Sequence, residues 1–404
     1  MEKPDIDEIN TIQEIKKNSN SNNRLGSIDF VKGFAIIFIV LAHTSVAWFT
    51  IEWKFIFGIV FSVLDILGPS LFVFLSALSV IFSIKSKQGK LPEKVIRNRI
   101  FMRGFMIMLI GIFGNLLNAT VEYPFPWFLW GWNILMFIGF SQIASFYAVK
   151  LSKVNRIIIG LIILCVSPGI RNLIYINKDL NYISWFLHFL ITSPAPHVTL
   201  LPWLSVCFIS SVFGEYLYKA MVEGTLLAYQ RLFKLLLSWG LILIIFGVLI
   251  GFPLVDQSDT AFNALYPQIT LLGIINLQPF THYPGLPLFL IRGTFPNMFY
   301  NLGAALVIIA ISFYIIDIKK KRHLFIDMTI FFGNVSLSFY LIHFMFLPLF
   351  GAQFPIYYFP FIYIAFMGLL GFIMFLWNKY AGGIGSPEWI MIQTGKIGQK
   401  KNNN

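Results

Sequence analysis

Two histidines, His43 and His343, stand inside long apolar runs, where an ionisable side chain costs free energy and so marks a place for chemistry. The first run reads R-L-G-S-I-D-F-V-K-G-F-A-I-I-F-I-V-L-A-H-T from Arg24 to Thr44. Asp29, Ile36 and His43 are spaced by seven, which on a helix keeps the acid and the imidazole within roughly 40° of one face. About 21 Å of helix separates the two, so the acid sits near one membrane surface and the imidazole toward the other. His343 lies in F-F-G-N-V-S-L-S-F-Y-L-I-H-F, with Ser336, Tyr340 and His343 sharing a face. The two runs start on the same side and carry their histidines to almost the same depth. The imidazoles can therefore meet, and a neutral imidazole is a general base or, alternatively, a nucleophile.

Cations gather at the other end. The segment K-V-I-R-N-R-I-F-M-R-G, from Lys94 to Gly104, puts Arg99 and Arg103 four residues apart on one helical face. Guanidinium forks suit phosphate oxygens, and Arg103 enters the apolar run deeply enough to require a partner. Topology and anionic lipid headgroups account for the Lys85–Lys94 cluster without any site. Asp65, at the far end of D-I-L-G-P-S-L-F-V-F-L-S-A-L-S, is a candidate for orienting an imidazole or holding an acceptor, and an interfacial cap is the alternative. Asn133 is the polar residue of interest in P-F-P-W-F-L-W-G-W-N, whose tryptophans fit an interfacial belt.

The elements that must hold these groups are membrane helices. The chain has 404 residues, 57% hydrophobic and 12% charged, far fewer charges than the roughly 25% of a soluble domain. Its apolar runs lack period-2 alternation, so the fold class is all-α: a polytopic helical membrane protein with about ten spans. They fall near 29–50, 64–84, 100–118, 128–149, 155–172, 199–218, 232–253, 297–317, 328–350 and 357–378. The fifth is short and interrupted by Pro168 and Gly169. Assigning alternate loops to opposite sides leaves Lys54, Arg171, Lys178 and Arg292 alone outside among the 30 basic residues. By the positive-inside rule both termini are then cytoplasmic. The net charge of +12 is thereby assigned to orientation, not to nucleic acid.

Residues 1–23 and 393–404 read as disordered cytoplasmic tails around a membrane domain at 24–392. Residues 260–291 carry no charge but are broken by prolines, as expected of an external or re-entrant segment packed on the bundle. Cys165 and Cys207 lie in apolar runs without metal or disulfide spacing.

In order along the chain, these motifs resemble the membrane acyltransferases of the heparan-α-glucosaminide N-acetyltransferase catalytic-domain type, within the broader acyltransferase-3-like superfamily. The resemblance rests on the Arg24–Ala35 motif with His43, G-P-S-L-F-V-F-L-S-A-L-S, R-N-R-I-F-M-R-G and W-N-I-L-M-F-I-G. It continues through L-P-W-L-S-V-C-F-I-S-S-V-F-G, N-V-S-L-S-F-Y-L-I-H-F and a closing G-S-P-E-W-I-M at 385–391. Lys32 stands where the family usually has Arg, and Met136 where many bacterial members have His. The resemblance implies transfer of an acyl group, acetyl in the first instance, from cytoplasmic acyl-CoA to a hydroxyl or amine of an extracytoplasmic glycan or sugar acceptor. It implies His43 as the catalytic histidine and Arg24, Arg99 and Arg103 facing the CoA phosphates. From the residues themselves, Lys32 is on the same side as those arginines, His343, Asn133 or Tyr340 is a candidate to polarise the carbonyl or orient His43, and Asp65 is the further candidate named above. No metal is expected.

This reading requires a passage through the bundle from the arginines to His43. A transporter or flippase using both histidines as proton-relay groups is the rival reading. Lipids aside, nothing in the sequence selects one acceptor or decides between a monomer and a homo-oligomer.

Overall fold

The computed structural model describes residues 25–117, 127–192 and 198–397, most of them helical. Arg24 and both expected tails up to residue 24 and from 398 onward lie outside the described residues. The chain enters on α1 (Gly26–Trp48), whose start no nearby side chain caps. The Asp317 carboxylate does so from far along the chain, accepting from the Gly26 and Ser27 N–H groups at 3.2 Å each. An acid at that end also complements the positive pole of the helix.

Next come α2 (Lys54–Leu64) and α3 (Pro69–Lys85), joined by a 3-10 turn at Asp65–Leu67. Ile51–Lys85 forms one apolar unit of 35 residues, about 50 Å long and so longer than the ~30 Å hydrocarbon layer. The span expected at 64–84 therefore begins earlier, and α2 extends it on the far side. α4 (Glu93–Leu117) packs along α5 (Ile134–Ala148), and α6 (Lys153–Asn177), α7 (Tyr182–Ile191), α8 (Leu200–Glu223) and α9 (Leu226–Ile250) follow. Pro168 lies inside α6 without ending it. A proline removes one amide, and in lipid the remaining backbone groups have no better partners than one another.

After α9 the chain forms a compact insert. Strands β1 (Leu254–Val255) and β2 (Leu286–Pro287) pair antiparallel around α10 (Thr260–Leu265) and α11 (Leu271–Ile275). Leu265, Tyr266, Ile269, Leu272 and Ile275 give it a small core of its own, and α11 packs on α2. This is the proline-broken segment expected to lie against the bundle. The chain closes with α12 (Phe295–Phe313), α13 (Leu324–Asn334), α14 (Ser336–Phe346), α15 (Phe359–Ala381) and α16 (Pro387–Ile397), which continues past the domain end expected at 392.

Eight helices among the described residues are long and apolar enough to cross a membrane, and the α13–α14 pair, bent by 84°, makes a ninth if counted as one. About ten were expected. The run at 128–149 holds the end of a 3-10 turn at Trp127–Trp130 and then α5, whose 15 residues reach about 22 Å, shorter than the hydrocarbon layer.

Helix α1 is the axis on which the site is built. A Cβ on Gly33 would lie 1.8 Å from the Thr329 carbonyl oxygen, and one on Gly333 would lie 1.9 Å from that of Asp29. Only hydrogen fits at either position, so α1 and α13 touch backbone to backbone there. Each histidine lies the same number of residues beyond its crossing glycine. The bend after α13 turns α14 back along α1.

Candidate active site

The imidazoles meet. His43 Nδ1 is 2.8 Å from His343 Nε2, with ring centroids 5.1 Å apart. His343 is fully buried and His43 half-buried. The other His343 nitrogen, Nδ1, lies 3.1 Å from the Phe339 carbonyl oxygen. A carbonyl can only accept, so His343 Nδ1 carries a proton and, in the neutral ring, Nε2 does not. His343 Nε2 then accepts from His43 Nδ1–H, and His43 Nε2 becomes the nitrogen without a proton. The chain of bonds fixes His43 as the tautomer whose Nε2 can take one. Phe344 lies 5.0 Å from the His43 ring and 4.2 Å from that of His343, and Tyr340 lies 5.6 Å from His343. They hold the rings in an apolar setting.

A cavity of about 310 Å³ opens at the basic end of the bundle. Lys32 of α1, Arg99 and Arg103 of α4, and Gln142 of α5 line it. On α3 the lining residues Phe72, Ser76, Ser79 and Ser83 recur at helical spacing, a stripe of three hydroxyls ending in a ring. The Nε atoms of Arg99 and Arg103 are buried without a hydrogen-bond partner, and neither guanidinium has a carboxylate within ion-pair distance among the described residues. Two half-buried guanidiniums whose Nε atoms are buried without a partner, and which have no carboxylate within ion-pair distance among the described residues, make the cavity suited to an anion. Lys87, in the loop before α4, bonds the Ser83 hydroxyl at 2.9 Å. Burial, together with Arg99 and Arg103, lowers its pKa to about 8.

The cavity does not reach the histidines as the expected passage requires. Neither histidine lines the cavity, whose deep end is made by Phe72, Ile107, Ile138 and Leu337. From Leu337 to His343 is about 9 Å along α14, and buried Tyr340 lies between them. Close packing of large side chains fills the interval.

Asp65 is not brought to the imidazoles. Its carboxylate takes both arms of Arg292, Nε at 2.9 Å and Nη2 as the second contact, while Gln268 accepts from the Arg292 amide at 2.5 Å. The α2–α3 break is thus tied to the insert. An acid at the end of one run and one of two external arginines in charge-poor sequence were the available signal for this pair. Asn133 caps α5 through Met136 N–H at 2.8 Å and donates to Gly111 O at 2.7 Å and Asn115 Oδ1 at 2.6 Å. These bonds lock α5 to α4. Lys32 lies 3.8 Å from Asp29, and Arg24 lies outside the described residues.

Sequence reasoning missed two residues. One is Lys87, hidden in a basic run that orientation already explained. The other is Glu388, quoted only within G-S-P-E-W-I-M. It lines the cavity from α16 and accepts from Leu337 N–H at 2.9 Å, Ser338 N–H at 3.1 Å and the Ser338 hydroxyl. Burial pushes its carboxyl above the ordinary range, and these hydrogen bonds oppose the shift. No group of three or more His, Cys, Asp or Glu suited to a metal occurs among the described residues.

Comparison with known proteins gives a family. No curated protein matches the chain. Residues 24–247 match the family described as heparan-alpha-glucosaminide N-acetyltransferase, catalytic. The match includes α1 with His43 and α4 with Arg99 and Arg103, and it stops before α14 and α16. It covers more than half of the sequence. The chain belongs to the heparan-alpha-glucosaminide N-acetyltransferase catalytic family, a family of membrane acetyltransferases.

Proposed function

We propose that this protein transfers an acetyl group from acetyl-CoA, bound at the basic, cytoplasmic end of the bundle, to a hydroxyl or amine of a sugar-containing acceptor on the opposite side. The observation that carries this reading is the His43–His343 hydrogen bond, 2.8 Å long, on the same bundle as a cavity with two uncompensated guanidiniums. CoA is anionic, and its phosphates match Arg99, Arg103 and Lys87 in sign and geometry. The α3 serine stripe offers hydroxyls to the amides of the pantetheine arm. From Lys32 to His43 is about 16 Å along α1, which the arm must cover for the thioester to reach the imidazole. Tyr340 and Leu337 have to move aside for it.

At the histidines, the acceptor oxygen or nitrogen attacks the thioester carbonyl carbon as His43 Nε2 takes its proton. The C–S bond then breaks, the sulfur leaves with the electron pair, and the His43 imidazolium returns the proton to it. His343 Nε2 accepts from His43 Nδ1–H throughout and stabilises the imidazolium. General base catalysis of this kind contributes about 10²–10⁴-fold.

The test uses purified protein in lipid nanodiscs with radiolabelled acetyl-CoA and a panel of amino and neutral glycosides, measuring labelled product and free thiol in equal amounts. Acetyl transfer that is lost in His43→Ala while CoA still binds is the expected result. Transport of a solute at full rate without CoA would instead favour the transporter reading, and full transfer by His43→Ala would end the mechanistic assignment.

A further inference from the structure

The helix that carries His343 begins inside the donor cavity. The 84° bend between α13 and α14 turns the first amides of α14 away from any preceding helical turn, so they need acceptors from elsewhere. Ser336 and Leu337, at that end, line the cavity. The Glu388 carboxylate fills the role, taking the Leu337 and Ser338 amides and the Ser338 hydroxyl. α14 has 11 residues, and His343 stands in its last turn. One short rigid rod thus has a carboxylate at one end, in the donor cavity, and the imidazole that sets the His43 tautomer at the other.

α16 is not an isolated prop. It packs along α4, where the bare face of Gly395 leaves room for the Arg99 side chain, whose Nε lies 3.4 Å from the position a Cβ would take. Met391 and Ile392 of the same helix form cavity wall. The helix that supports α14 is therefore also the helix laid across the guanidiniums.

We infer that Glu388 is a positioning residue for the histidine pair: by holding the N-terminus of α14 from within the donor cavity, it sets where His343 meets His43. It touches neither imidazole and acts only through the helix. The inference rests on the acetyl-transfer reading for its kinetic consequence, but its structural consequence, the geometry of the His343–His43 bond, exists whatever the reaction. Glu388 forms no ion pair with Arg99 or Arg103, so neutralising it takes nothing from the guanidiniums that would hold an anionic donor. Donor affinity and the chemical step should accordingly separate.

The experiment compares Glu388→Gln, Glu388→Asp, Ser338→Ala and Arg99→Ala in nanodiscs. Equilibrium binding of CoA, single-turnover acetyl transfer, and the histidine side-chain ¹⁵N spectrum of labelled protein are measured on each. Glu388→Gln keeps the shape and loses the charge; it is expected to bind CoA as tightly as the parent or more tightly, yet transfer at least about tenfold more slowly. Its ¹⁵N spectrum should lose the pattern of one Nδ1-protonated His43 bonded to His343. Ser338→Ala, which removes one of the three bonds, should fall between, Glu388→Asp should recover part of the rate, and Arg99→Ala should lose CoA affinity with the ¹⁵N pattern intact. A parental transfer rate and parental ¹⁵N spectrum in Glu388→Gln would overturn the inference, as would a loss of CoA affinity equal to that of Arg99→Ala. If the parent itself transfers no acetyl group, the proposed function fails, and the ¹⁵N comparison still decides the role of Glu388.

Discussion

At the scale of single residues, the tautomer relay makes His43 and His343 unequal. His43→Ala removes the nitrogen that takes the proton, so acetyl transfer should fall by about 10²–10⁴ with little change in CoA binding. His343→Gln keeps an oxygen able to accept from His43 Nδ1–H and should retain more activity than His343→Ala, which leaves the ring free to choose the wrong tautomer; equal rates in the two variants would contradict the relay. Lys87 gives a pH signature. Its pKa is about 8, against an ordinary 10.5, and an anion bound beside it raises it again. CoA affinity should therefore be full below pH 8, weaken as the pH rises through it, and level off once the pKa of the bound state is passed. Calorimetric titration across that range, repeated on Lys87→Met, checks the sign: the variant should bind more weakly at pH 7 and show no such decline.

At the scale of elements, the α1–α13 crossing controls the histidine distance. A methyl group on Gly333 would overlap the Asp29 carbonyl at 1.9 Å, so Gly333→Ala has to push the helices apart. Overpacking typically costs about 1–3 kcal/mol. Thermal unfolding in detergent should start lower, and transfer should fall more than CoA affinity because the 2.8 Å bond lengthens while the α4 arginines stay in place. A variant with unchanged unfolding and rate would show that the crossing does not set the pair. The crossing could not be read from sequence. Glycines are common in the chain, 30 in all, and only the packed helices show which of them have a backbone for a neighbour.

At the scale of the whole molecule, the Asp65–Arg292 pair joins the break between α2 and α3 to the insert that follows α9. Asp65 is buried, and removing one partner of a buried pair typically costs about 3–5 kcal/mol because the other charge is left uncompensated. Asp65→Asn should lower the unfolding temperature and expose the insert to protease, and the double variant Asp65→Asn with Arg292→Gln should recover part of the loss. If the single and double variants unfold alike, the pair is not what anchors the insert. The packed interval between cavity and histidines belongs to this scale too, since it is made by α3, α4, α5 and α14 together. In a protein with Cys165 and Cys207 replaced, a cysteine at Ser83 should react readily with a charged thiol reagent and be shielded by CoA. One at Tyr340 should react only slowly.

The sequence by itself determined that this chain is a helical membrane protein, and it singled out two histidines and a basic end as candidates for chemistry; each follows from hydropathy, charge placement and helical periodicity, which are local properties of the chain. It also determined the pairing of Arg99 with Arg103 on one face. What the tertiary structure alone decided is which polar groups are used up by the fold. Asn133 and Asp65 are as polar and as well placed in sequence as the site residues, yet one locks α5 to α4 and the other holds Arg292. Glu388 lies far along the chain from Leu337 and Ser338, whose N–H groups it accepts from, and the extent of the cavity depends on four helices meeting. Helical spacing fixes which side chains share a face, but a hydrogen bond between distant helices is set by where their axes cross, and that is a property of the packed bundle.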